Sequence, residues 1–435
     1  MTTAADTVAT GPALIRAAGL FVPLLAVVLA AAVRRPGRAD VAAAIVGGAW
    51  QLALLPGLNL LAGRLGWWSF QADGGTVVRL PVDLLLGWVL LWGVLPPLAA
   101  ARLPWPVTAA LLGWLDLAAM PLLDPVLRLG DRWLTGEAVA IALCLLPGLL
   151  LARWTARAEH LRLRAAGQVL LAALLMLALP ATAAGVRLPH GAVLSTGLQV
   201  LAVPMLLGVA AVREFVVRGS GTPLPYDPPL RLVTSGPYAY VRNPIQLSLL
   251  LCHLVLAAFT ANAWLLVAAG VTVAYSAGLA AWHEGAQLAE RFGPGWAEYT
   301  AGVRSWLPRL RPWPGTAPAE LHVAQTCGVC SGVGRWVLDR SPVALTVRPA
   351  EEHPAGLRRI TYESADGRER AEGVAALGRA LQHFHLGWAL LGWVLLIPGL
   401  AWFAQLVADA TAGGPRELRT PAERRPAEPP SADLL

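Results

Sequence analysis

The sequence contains little charge. Only 14% of its 435 residues are Asp, Glu, Lys or Arg, and 56% are hydrophobic, whereas a soluble globular domain carries about 25% charged residues. A soluble surface needs charged side chains to interact with water, so most of this chain is not a soluble domain. The hydrophobic content also excludes a disordered chain, and the presence of only four cysteines excludes a small disulfide scaffold. A polytopic membrane protein is predicted.

Lysine is absent altogether, so the formal net charge of +7 comes from arginine. Isoleucine is scarce while Ala, Leu, Gly, Pro and Arg are abundant, a bias typical of a GC-rich bacterial genome. The arginines lie in short segments between apolar runs, which is the pattern of membrane topology. A basic patch for nucleic acid is not predicted, and we expect no nucleic-acid partner.

Nine apolar runs are long enough to cross a hydrocarbon core about 30 Å thick. They lie near residues 14–33, 41–63, 81–101, 106–123, 136–152, 166–185, 191–212, 245–260 and 262–282. The first run lacks a basic n-region and a small-residue cleavage site, so it is interpreted as a retained helix and not as a signal peptide. The last two runs almost touch in sequence and predict a tight helical hairpin.

The distribution of arginines predicts the orientation of these spans. Twelve arginines lie in the odd-numbered loops and five in the alternate loops. Because positive residues favour the cytoplasmic side, the N-terminus is predicted to lie outside, and everything after the ninth run to lie in the cytoplasm. We therefore expect a multi-pass protein of a bacterial inner membrane.

The composition divides the chain into four segments. Residues 1–190 form a transmembrane region of unknown purpose, and residues 191–312 a membrane core with a polar loop. Charged residues, His, Thr and Ser return in residues 313–412, which predicts a soluble appendage, and residues 413–435 have the composition of a disordered tail. Within the first segment, Asp116 interrupts an apolar run, where a carboxylate is either a functional group or a hydrogen-bonding partner between helices.

The most informative stretch is the polar loop of residues 219–246, with the sequence GSGTPLPYDPPLRLVTSGPYAYVRNPIQ. Asn243 is predicted to cap the following helix and Pro244 to occupy its first position. The free N–H groups and positive dipole of that helix N-terminus, together with Arg242, suit an anionic group such as a carboxylate or phosphate. The alternative is that Arg242 is an interfacial anchor and that Asn243-Pro244 is only a cap.

The hairpin returns to the same membrane surface at Glu284, within the sequence AWHEGAQLAERFGPGWAEYTAGVRSWLPR. The carboxylate is predicted to lie close to the polar loop, so that both belong to one site. With these motifs, residues 205–311 resemble the isoprenylcysteine carboxyl methyltransferase and phospholipid methyltransferase superfamily. The resemblance rests on GPYAYVRNP, the hairpin, Glu-x-x-x-Leu-x-x-x-Phe-Gly and the closing Trp-Leu-Pro-Arg.

This resemblance implies an integral membrane enzyme that uses S-adenosylmethionine, needs no metal, and takes a lipid or another lipophilic acceptor from the bilayer. The residues that it implies for the cofactor pocket are Gly236, Pro237, Tyr238, Tyr240, Arg242, Asn243, Pro244 and Glu284. Methyl transfer from a sulfonium is an in-line displacement that needs positioning more than acid–base help. Glu284 would hold cationic or hydroxyl groups of the cofactor, and Arg242 its carboxylate or an acidic acceptor. The chain departs from the family pattern at Asn243, Gln246, Gly285 and Trp296.

Two of the four cysteines form a CxxC motif. Cys144 and Cys252 lie inside apolar runs and are predicted to be buried packing residues, whereas Cys327 and Cys330 form CGVC between an apolar stretch and a predicted helix. A strand, a turn with CxxC and a helix make the thioredoxin-like arrangement, in which the helix N-terminus lowers the pKa of the first thiol. The main alternative is half of a zinc site, but there is no second CxxC and the nearby histidines lack the standard spacing.

Residues 319–415 resemble the DCC-type thiol-disulfide oxidoreductase family. The resemblance rests on CGVC, on the stretch LRRITYESADGRERAEGVAALGRALQHF and on the apolar end LGWALLGWVLLIPGL. It implies that Cys327 attacks a disulfide and that Cys330 resolves the mixed disulfide, with a thiol redox partner. Because the apolar end belongs to the appended domain in that family, residues 386–407 are predicted to form an interfacial or packed helix first and a tenth span second.

The predicted fold class is a polytopic α-helical membrane protein of about nine spans with a small C-terminal α/β thioredoxin-like domain. The first functional hypothesis is S-adenosylmethionine-dependent methyl transfer to a lipophilic acceptor at the cytoplasmic face, with an appended thiol-redox domain. The second is a membrane-anchored thiol-disulfide oxidoreductase in which the methyltransferase-like core is a scaffold. The third is a non-catalytic membrane assembly protein.

Overall fold

The computed structural model is mostly helical. It describes residues 4–72, 74–77, 79–99, 103–222, 229–412 and 414–415, except for the side chains of residues 4–10, 279–284 and 412. The chain divides into two compact units. Unit 1 comprises Met1–Pro180 and Thr222–Pro228, and unit 2 comprises Ala181–Gly221 and Pro229–Leu435. The predicted disordered tail lies outside the described residues except for positions 414 and 415.

Within the described residues, seven helices are long and apolar enough to cross a membrane. They are Gly11–Arg34, Arg38–Leu65, Val82–Ala99, Trp105–Leu123, Trp133–Arg157, Leu161–Ala183 and Gly191–Gly219. Each of them corresponds to one of the first seven predicted runs. The last two predicted runs are the shorter apolar helices Pro244–Thr260 and Trp264–Gly278. The helices are those of a multi-pass membrane protein, with seven spans of full length where nine were predicted.

Unit 1 contains the first eight helices and the start of the ninth, since its boundary lies at Pro180. These helices are α1 (Ala4–Arg34), α2 (Arg38–Leu65), α3 (Val82–Trp88), α4 (Leu95–Ala99), α5 (Trp105–Ala119), α6 (Trp133–Ala140), α7 (Leu146–Arg157), α8 (Leu161–Ala173) and α9 (Leu179–Ala183). Three pairs of them are joined into single spans by wide π-helical turns at Val89–Val94, Ile141–Leu145 and Leu174–Ala178. A proline follows each wide turn within two residues, at Pro96, Pro147 and Pro180. Proline lacks an N–H and crowds the preceding turn, so the helix widens there and continues.

Short strands connect the helices of unit 1. They are β1 (Trp68–Phe70), β2 (Thr76–Val77), β3 (Leu80–Pro81) and β4 (Leu127–Leu129), and β1 pairs with β4 and β2 with β3, both antiparallel. Asp116 of α5 is buried and accepts a hydrogen bond of 2.8 Å from the indole N–H of Trp88 in α3. This contact favours the interhelical hydrogen-bonding alternative for Asp116.

The first four helices of unit 2 after α9 are α10 (Gly191–Glu214), α11 (Pro244–Thr260), α12 (Trp264–Tyr275) and α13 (Ala281–Gly302). The first three are apolar. The predicted hairpin of α11 and α12 is confirmed. Its turn begins at Ala261, which adopts a left-handed conformation, and the Asn262 side chain accepts a hydrogen bond from the Trp264 amide at the start of α12. Helix α13 is kinked at Gly293, where φ is 50°, a conformation that favours glycine.

The remainder of unit 2 surrounds a small four-stranded sheet. Its elements are β5 (Ala319–Val323), α14 (Gly328–Leu338), β6 (Leu345–Pro349), β7 (Thr361–Ser364), β8 (Arg370–Glu372) and α15 (Val374–Ala380). The strand order is β6-β5-β7-β8, in which β5 and β6 are parallel and the other two pairs are antiparallel. Leu321 and Val323 alternate with polar residues along β5 and are buried in a core with Val337 of α14. This alternation places the apolar side chains on one face of the strand.

The apolar run 386–407 is not a single straight helix. It forms α16 (Leu386–Leu395) and α17 (Pro398–Ala412), which are bent by 89° relative to each other. Pro398 cannot continue a helix from the preceding turn, so the bend follows from the sequence. Ala389 and Trp393 of α16 are buried against residues of α10. The first prediction for this run, a packed helix, therefore describes α16.

Candidate functional site

The sequence GPYAYVRNP, residues 236–244, forms the candidate site loop. It begins with a 3₁₀ turn at Gly236–Ala239 and ends where α11 starts at Pro244. Gly236 has a φ of 58°, and a Cβ at this position would lie 3.0 Å from the carboxyl carbon of Glu214 in α10. Only glycine combines this backbone conformation with such a close neighbour, which explains the first residue of the motif.

The site loop pairs with the segment that follows α13. The Arg242 amide donates to the Arg304 carbonyl at 2.9 Å and the Asn243 amide to the Ser305 carbonyl at 3.2 Å. In the opposite direction, the Arg309 amide donates to the Tyr240 carbonyl at 2.8 Å. Arg309 is the last residue of the Trp-Leu-Pro-Arg motif, so the structure places the two ends of the resemblance side by side.

The two tyrosines of the loop are buried. The Tyr240 hydroxyl donates to the Gln382 carbonyl at 2.9 Å, and its ring meets Trp393 of α16 edge to face. The Tyr238 carbonyl accepts a hydrogen bond of 2.9 Å from the Tyr299 hydroxyl. Burial raises the pKa of Tyr240 and of Tyr299, so both phenols stay neutral. Tyr240 thus links the site loop to residues Gln382 and Trp393.

Arg242 is the partly exposed cation of the site loop. Its guanidinium contacts the Ser305 hydroxyl, and its central carbon lies 5.8 Å from the ring centroid of Trp296. Asn243 is the N-cap residue of α11, as predicted, but within the described residues its side chain makes no capping hydrogen bond. The first turn of α11 therefore lacks the side-chain acceptor that was expected, which leaves a positive helix end next to a guanidinium.

Glu284 lies in the first turn of α13, but its side chain is outside the described residues. Its predicted proximity to the site loop therefore stays a prediction. The other predicted site residues lie together because they belong to one continuous loop. They are Gly236, Pro237, Tyr238, Tyr240, Arg242, Asn243 and Pro244.

A group of charges behind the site loop, all buried except the exposed Asp366, was not predicted from the sequence. We call it the ion cluster, and it consists of Glu214, Arg218, Asp366, Glu369 and Arg379. Arg379 lies 2.8 Å from Glu214 and also pairs with Glu369. Arg218 lies 2.8 Å from Asp366 and 3.0 Å from Glu369. The cluster joins the end of α10 to the residues around β7, β8 and α15.

The ion cluster also contacts the site loop. The Ser235 hydroxyl, one residue before Gly236, donates to Glu214 at 2.5 Å. Burial and the nearby Glu214 carboxylate raise the pKa of Glu369 to about 7, against the opposite effect of Arg218. A cavity of about 10 Å³ lies between Gly236 and the cluster. That volume accommodates about one water molecule and is far too small for a nucleoside cofactor.

One signal in the sequence belonged to this cluster. Glu214 and Arg218 are four residues apart at the end of an apolar helix, a spacing that brings opposite charges together on one face. Arg379 and Glu369 lie in a segment of ordinary charge content, where a charged side chain is most often solvated. Their burial depends on packing that a sequence does not display.

The CxxC motif lies between β5 and α14. Cys327 is the N-cap residue of α14, is 4% exposed, and packs with Ala350 and Leu357. The preceding residue, Thr326, donates hydrogen bonds from its amide and hydroxyl to Glu351 at 3.0 and 2.9 Å. Burial alone would raise the pKa of Glu351, but hydrogen bonds from Thr326 and nearby amides lower it. The motif therefore has a helix N-terminus on one side and a carboxylate close to the other.

Comparison with known proteins gives one match. Residues 194–295 match the phospholipid methyltransferase family, a stretch that contains most of α10, the site loop, the hairpin and the first part of α13. No curated protein and no solved structure matches the chain. About a quarter of the chain is thus similar to phospholipid methyltransferases, and the match supports a membrane methyltransferase.

Proposed function

We propose that the protein transfers a methyl group from S-adenosylmethionine to a lipophilic acceptor at the membrane surface. One observation carries this proposal. The stretch that matches the phospholipid methyltransferase family contains the whole site loop, in which Arg242 lies next to the N-terminus of α11. A methyl donor with a carboxylate and an acceptor within the bilayer fit a site at the end of a membrane helix.

The residues present fit the carboxylate of the proposed cofactor. Arg242 is partly exposed, and its guanidinium has the geometry for a bidentate contact with a carboxylate. The N-terminus of α11 adds a positive helix end to the same place. Ser305 and Trp296 restrict the arginine side chain, which reduces the conformational entropy lost on binding.

The residues of this chain have to align the methyl donor and the acceptor more than they have to transfer protons. The bound cofactor supplies an electrophilic methyl group, and the transfer to a nucleophile is an in-line displacement that depends on alignment. The site loop is suited to this task, since the segment after α13 holds its backbone and the ion cluster holds the side chain of the preceding Ser235. Glu284 is proposed to hold hydroxyl or cationic groups of the cofactor from the start of α13.

The first test measures cofactor binding. The full chain, purified in detergent micelles, is titrated with S-adenosylmethionine by calorimetry. Arg242→Ala should weaken binding by about ten- to one-hundredfold, because a hydrogen bond to a charged group contributes about 1.5–3 kcal/mol. The exposed Arg311 supplies the matched control, since Arg311→Ala removes the same charge outside the loop. Unchanged binding in both Arg242→Ala and Glu284→Ala would count against the proposal.

The acceptor is identified by a second measurement. Membrane lipids from cells with and without the protein are compared by mass spectrometry after growth on methionine labelled in its methyl group. A labelled methyl on one lipid class, lost in Arg242→Ala, identifies both the reaction and the substrate. If no lipophilic compound gains the label, the proposed acceptor class is wrong.

A thiol-redox function of residues 313–412 is the second candidate. It is favoured by the position of Cys327 at the N-terminus of α14, directly after a strand of a mixed sheet. This order of strand, turn and helix supports a thioredoxin-like arrangement, in which Cys327 would attack a disulfide and Cys330 would resolve the mixed disulfide. In a background with Cys144→Ser and Cys252→Ser, the alkylation rate of Cys327 against pH should give a thiol pKa below the ordinary ~8.5. An ordinary pKa would remove this support.

A further inference from the structure

Two histidines and a glutamate lie together on the sheet of unit 2, away from the site loop. His322 is on β5, Glu363 is on the neighbouring strand β7, and His353 is in the connection between β6 and β7. One potential ligand atom from each residue lies within 4.8 Å of the others. The imidazole rings of the two histidines have centroids 4.8 Å apart. We call these three residues the histidine cluster.

His322 is a buried side chain without a hydrogen bond. It is 6% exposed, and among the described residues neither of its ring nitrogens has a hydrogen-bond partner. Burial of an imidazole without a partner is unfavourable, and native structures rarely retain such a group without a reason. His322 Nε2 lies within 4.0 Å of Glu320 and Glu363, so a ligand bound beside these carboxylates would supply the partner that His322 lacks.

The distances in the histidine cluster are close to those of a metal site. His353 Nε2 lies 3.3 Å and His322 Nε2 4.0 Å from Glu363 Oε2. Ligand bonds of about 2.0–2.2 Å in a tetrahedral site place neighbouring ligand atoms roughly 3.3 Å apart. The first distance already has this value, but it is a hydrogen bond whose proton the metal ion would replace. The second needs to shorten by less than an ångström, and the two imidazole nitrogens, which lie within 4.8 Å of each other, need to approach further. A second carboxylate is available as a fourth ligand, because Glu320 Oε2 lies 3.5 Å from His322 Nε2.

We propose that His322, His353 and Glu363 bind a divalent transition-metal ion of the zinc class, with Glu320 or a water molecule in the fourth position. Two imidazoles and a carboxylate are ligands that zinc and its neighbours accept, whereas magnesium and calcium prefer all-oxygen sites. The strands β5 and β7 hold two of the ligands rigidly, since Glu320 pairs with Glu363 and His322 with Thr361 across the antiparallel ladder.

The proposed site is separate from the CxxC motif and independent of methyl transfer. His322 lies five residues before Cys327, and residues 350 and 357, on either side of His353, pack against that cysteine. The ion would thus be bound in the same part of the fold as the thiols, with nitrogen and oxygen ligands only. Cysteine variants can therefore distinguish this site from a thiolate site.

The test uses the full chain without a polyhistidine tag, purified in detergent micelles and stripped with a chelator. Zn²⁺ is titrated in competition with a chromophoric chelator, and we expect one Zn²⁺ per chain. His353→Gln and Glu363→Gln should each raise the Kd at least about tenfold, since even an outer-shell partner contributes about 10- to 100-fold. These side chains are 12% and 28% exposed, so both changes leave the core intact. His385→Gln, at an exposed histidine, is the control and should not change the Kd.

Substitution with Co²⁺ identifies the ligands. We expect the visible bands of a tetrahedral site without a thiolate-to-cobalt charge-transfer band, and the same spectrum in Cys327→Ser with Cys330→Ser. The proposal is overturned by the absence of stoichiometric binding. It is also overturned if the cysteine variant loses the metal while His353→Gln and Glu363→Gln retain it.

Discussion

Unit 2 contains two largely buried polar clusters that differ in the closeness of their contacts. In the ion cluster, Arg218 and Arg379 each lie within 4 Å of two or more carboxylates, and each makes an ion pair at 2.8 Å. In the histidine cluster, His322 Nε2 lies 3.5 and 4.0 Å from two carboxylates, and neither ring nitrogen has a hydrogen bond among the described residues. Burial of charge is tolerated where opposite charges compensate it, and a polar group without compensation points to a missing ligand. The comparison assigns a structural task to the first cluster and a binding task to the second.

The largest effect is expected from the ion cluster. Arg379→Ala leaves Glu214 and Glu369 buried with less positive charge, and loss of one partner of a buried ion pair costs about 3–5 kcal/mol of stability. The free energy of unfolding of the metal-free protein is measured by urea titration in detergent micelles. Arg348→Ala is the control, because Arg348 pairs with Glu320 while its side chain is 56% exposed, and such pairs contribute about 0–1 kcal/mol. Equal losses in both variants would remove the distinction between the clusters.

A smaller effect concerns His383, which lines the cavity of the ion cluster and, unlike His322, has partners for both nitrogens. Its Nδ1 contacts the Val343 carbonyl at 2.7 Å and its Nε2 the Tyr362 hydroxyl at 3.0 Å. Burial lowers the pKa of His383 to about 4, from about 6.5 in an unfolded chain. The folded state thus favours the neutral ring. This contribution to stability is complete above pH 6.5 and is lost as the pH falls toward 4, by up to about 3 kcal/mol.

The measurement compares the native protein with His383→Gln across this range of pH. The difference between their free energies of unfolding should shrink as the pH falls from 7 to 4. Glu369 has a raised pKa and titrates with the opposite sign, but it is present in both proteins, so the difference isolates His383. His190→Gln, at an exposed histidine whose side chain makes no capping hydrogen bond within the described residues, should follow the native protein at every pH. A difference that does not vary with pH would contradict the neutral buried ring.

The smallest effect is expected at His322, and it distinguishes the two clusters most directly. In metal-free protein, His322→Phe should change the free energy of unfolding by less than about 1 kcal/mol or increase it, because an unpartnered polar ring is replaced by an apolar one. With zinc, the native protein should be more stable than His322→Phe. A ligand at one hundred times its Kd stabilises the protein that binds it by about 2.7 kcal/mol. A large loss in metal-free His322→Phe would show that this histidine is structural.

The sequence predicted several local features of the fold. The first seven spans and the hairpin of α11 and α12 follow from apolar length. The break before Pro398 was not predicted, although proline explains it locally. The site loop was found because its glycine and prolines determine the backbone locally. The predicted cap at Asn243 was correct in position and wrong in the side-chain hydrogen bond.

Long-range contacts were not predictable in the same way. Arg379 meets Glu214 across 165 residues, and no local pattern distinguishes it from the exposed arginines around it. The histidine cluster was missed because its ligands come from two strands and a connection, so the spacing in sequence carries none of the regularity of a zinc motif. Only the pairing of β5 with β7 brings His322 close to Glu363, and the sequence does not reveal that pairing.

The long separation between Glu214 and Arg379 has a consequence for the order in which the protein matures. At about 5–20 residues per second, a ribosome needs roughly 10 to 30 s to make the intervening chain. During that interval α10 and the site loop exist without Arg379, and Arg218 is the arginine that lies next to Glu214. The loop can make all its contacts only after residues 379 and 382 have been synthesised. A product truncated near residue 312 therefore lacks the contacts of Tyr240 with Gln382 and of Glu214 with Arg379.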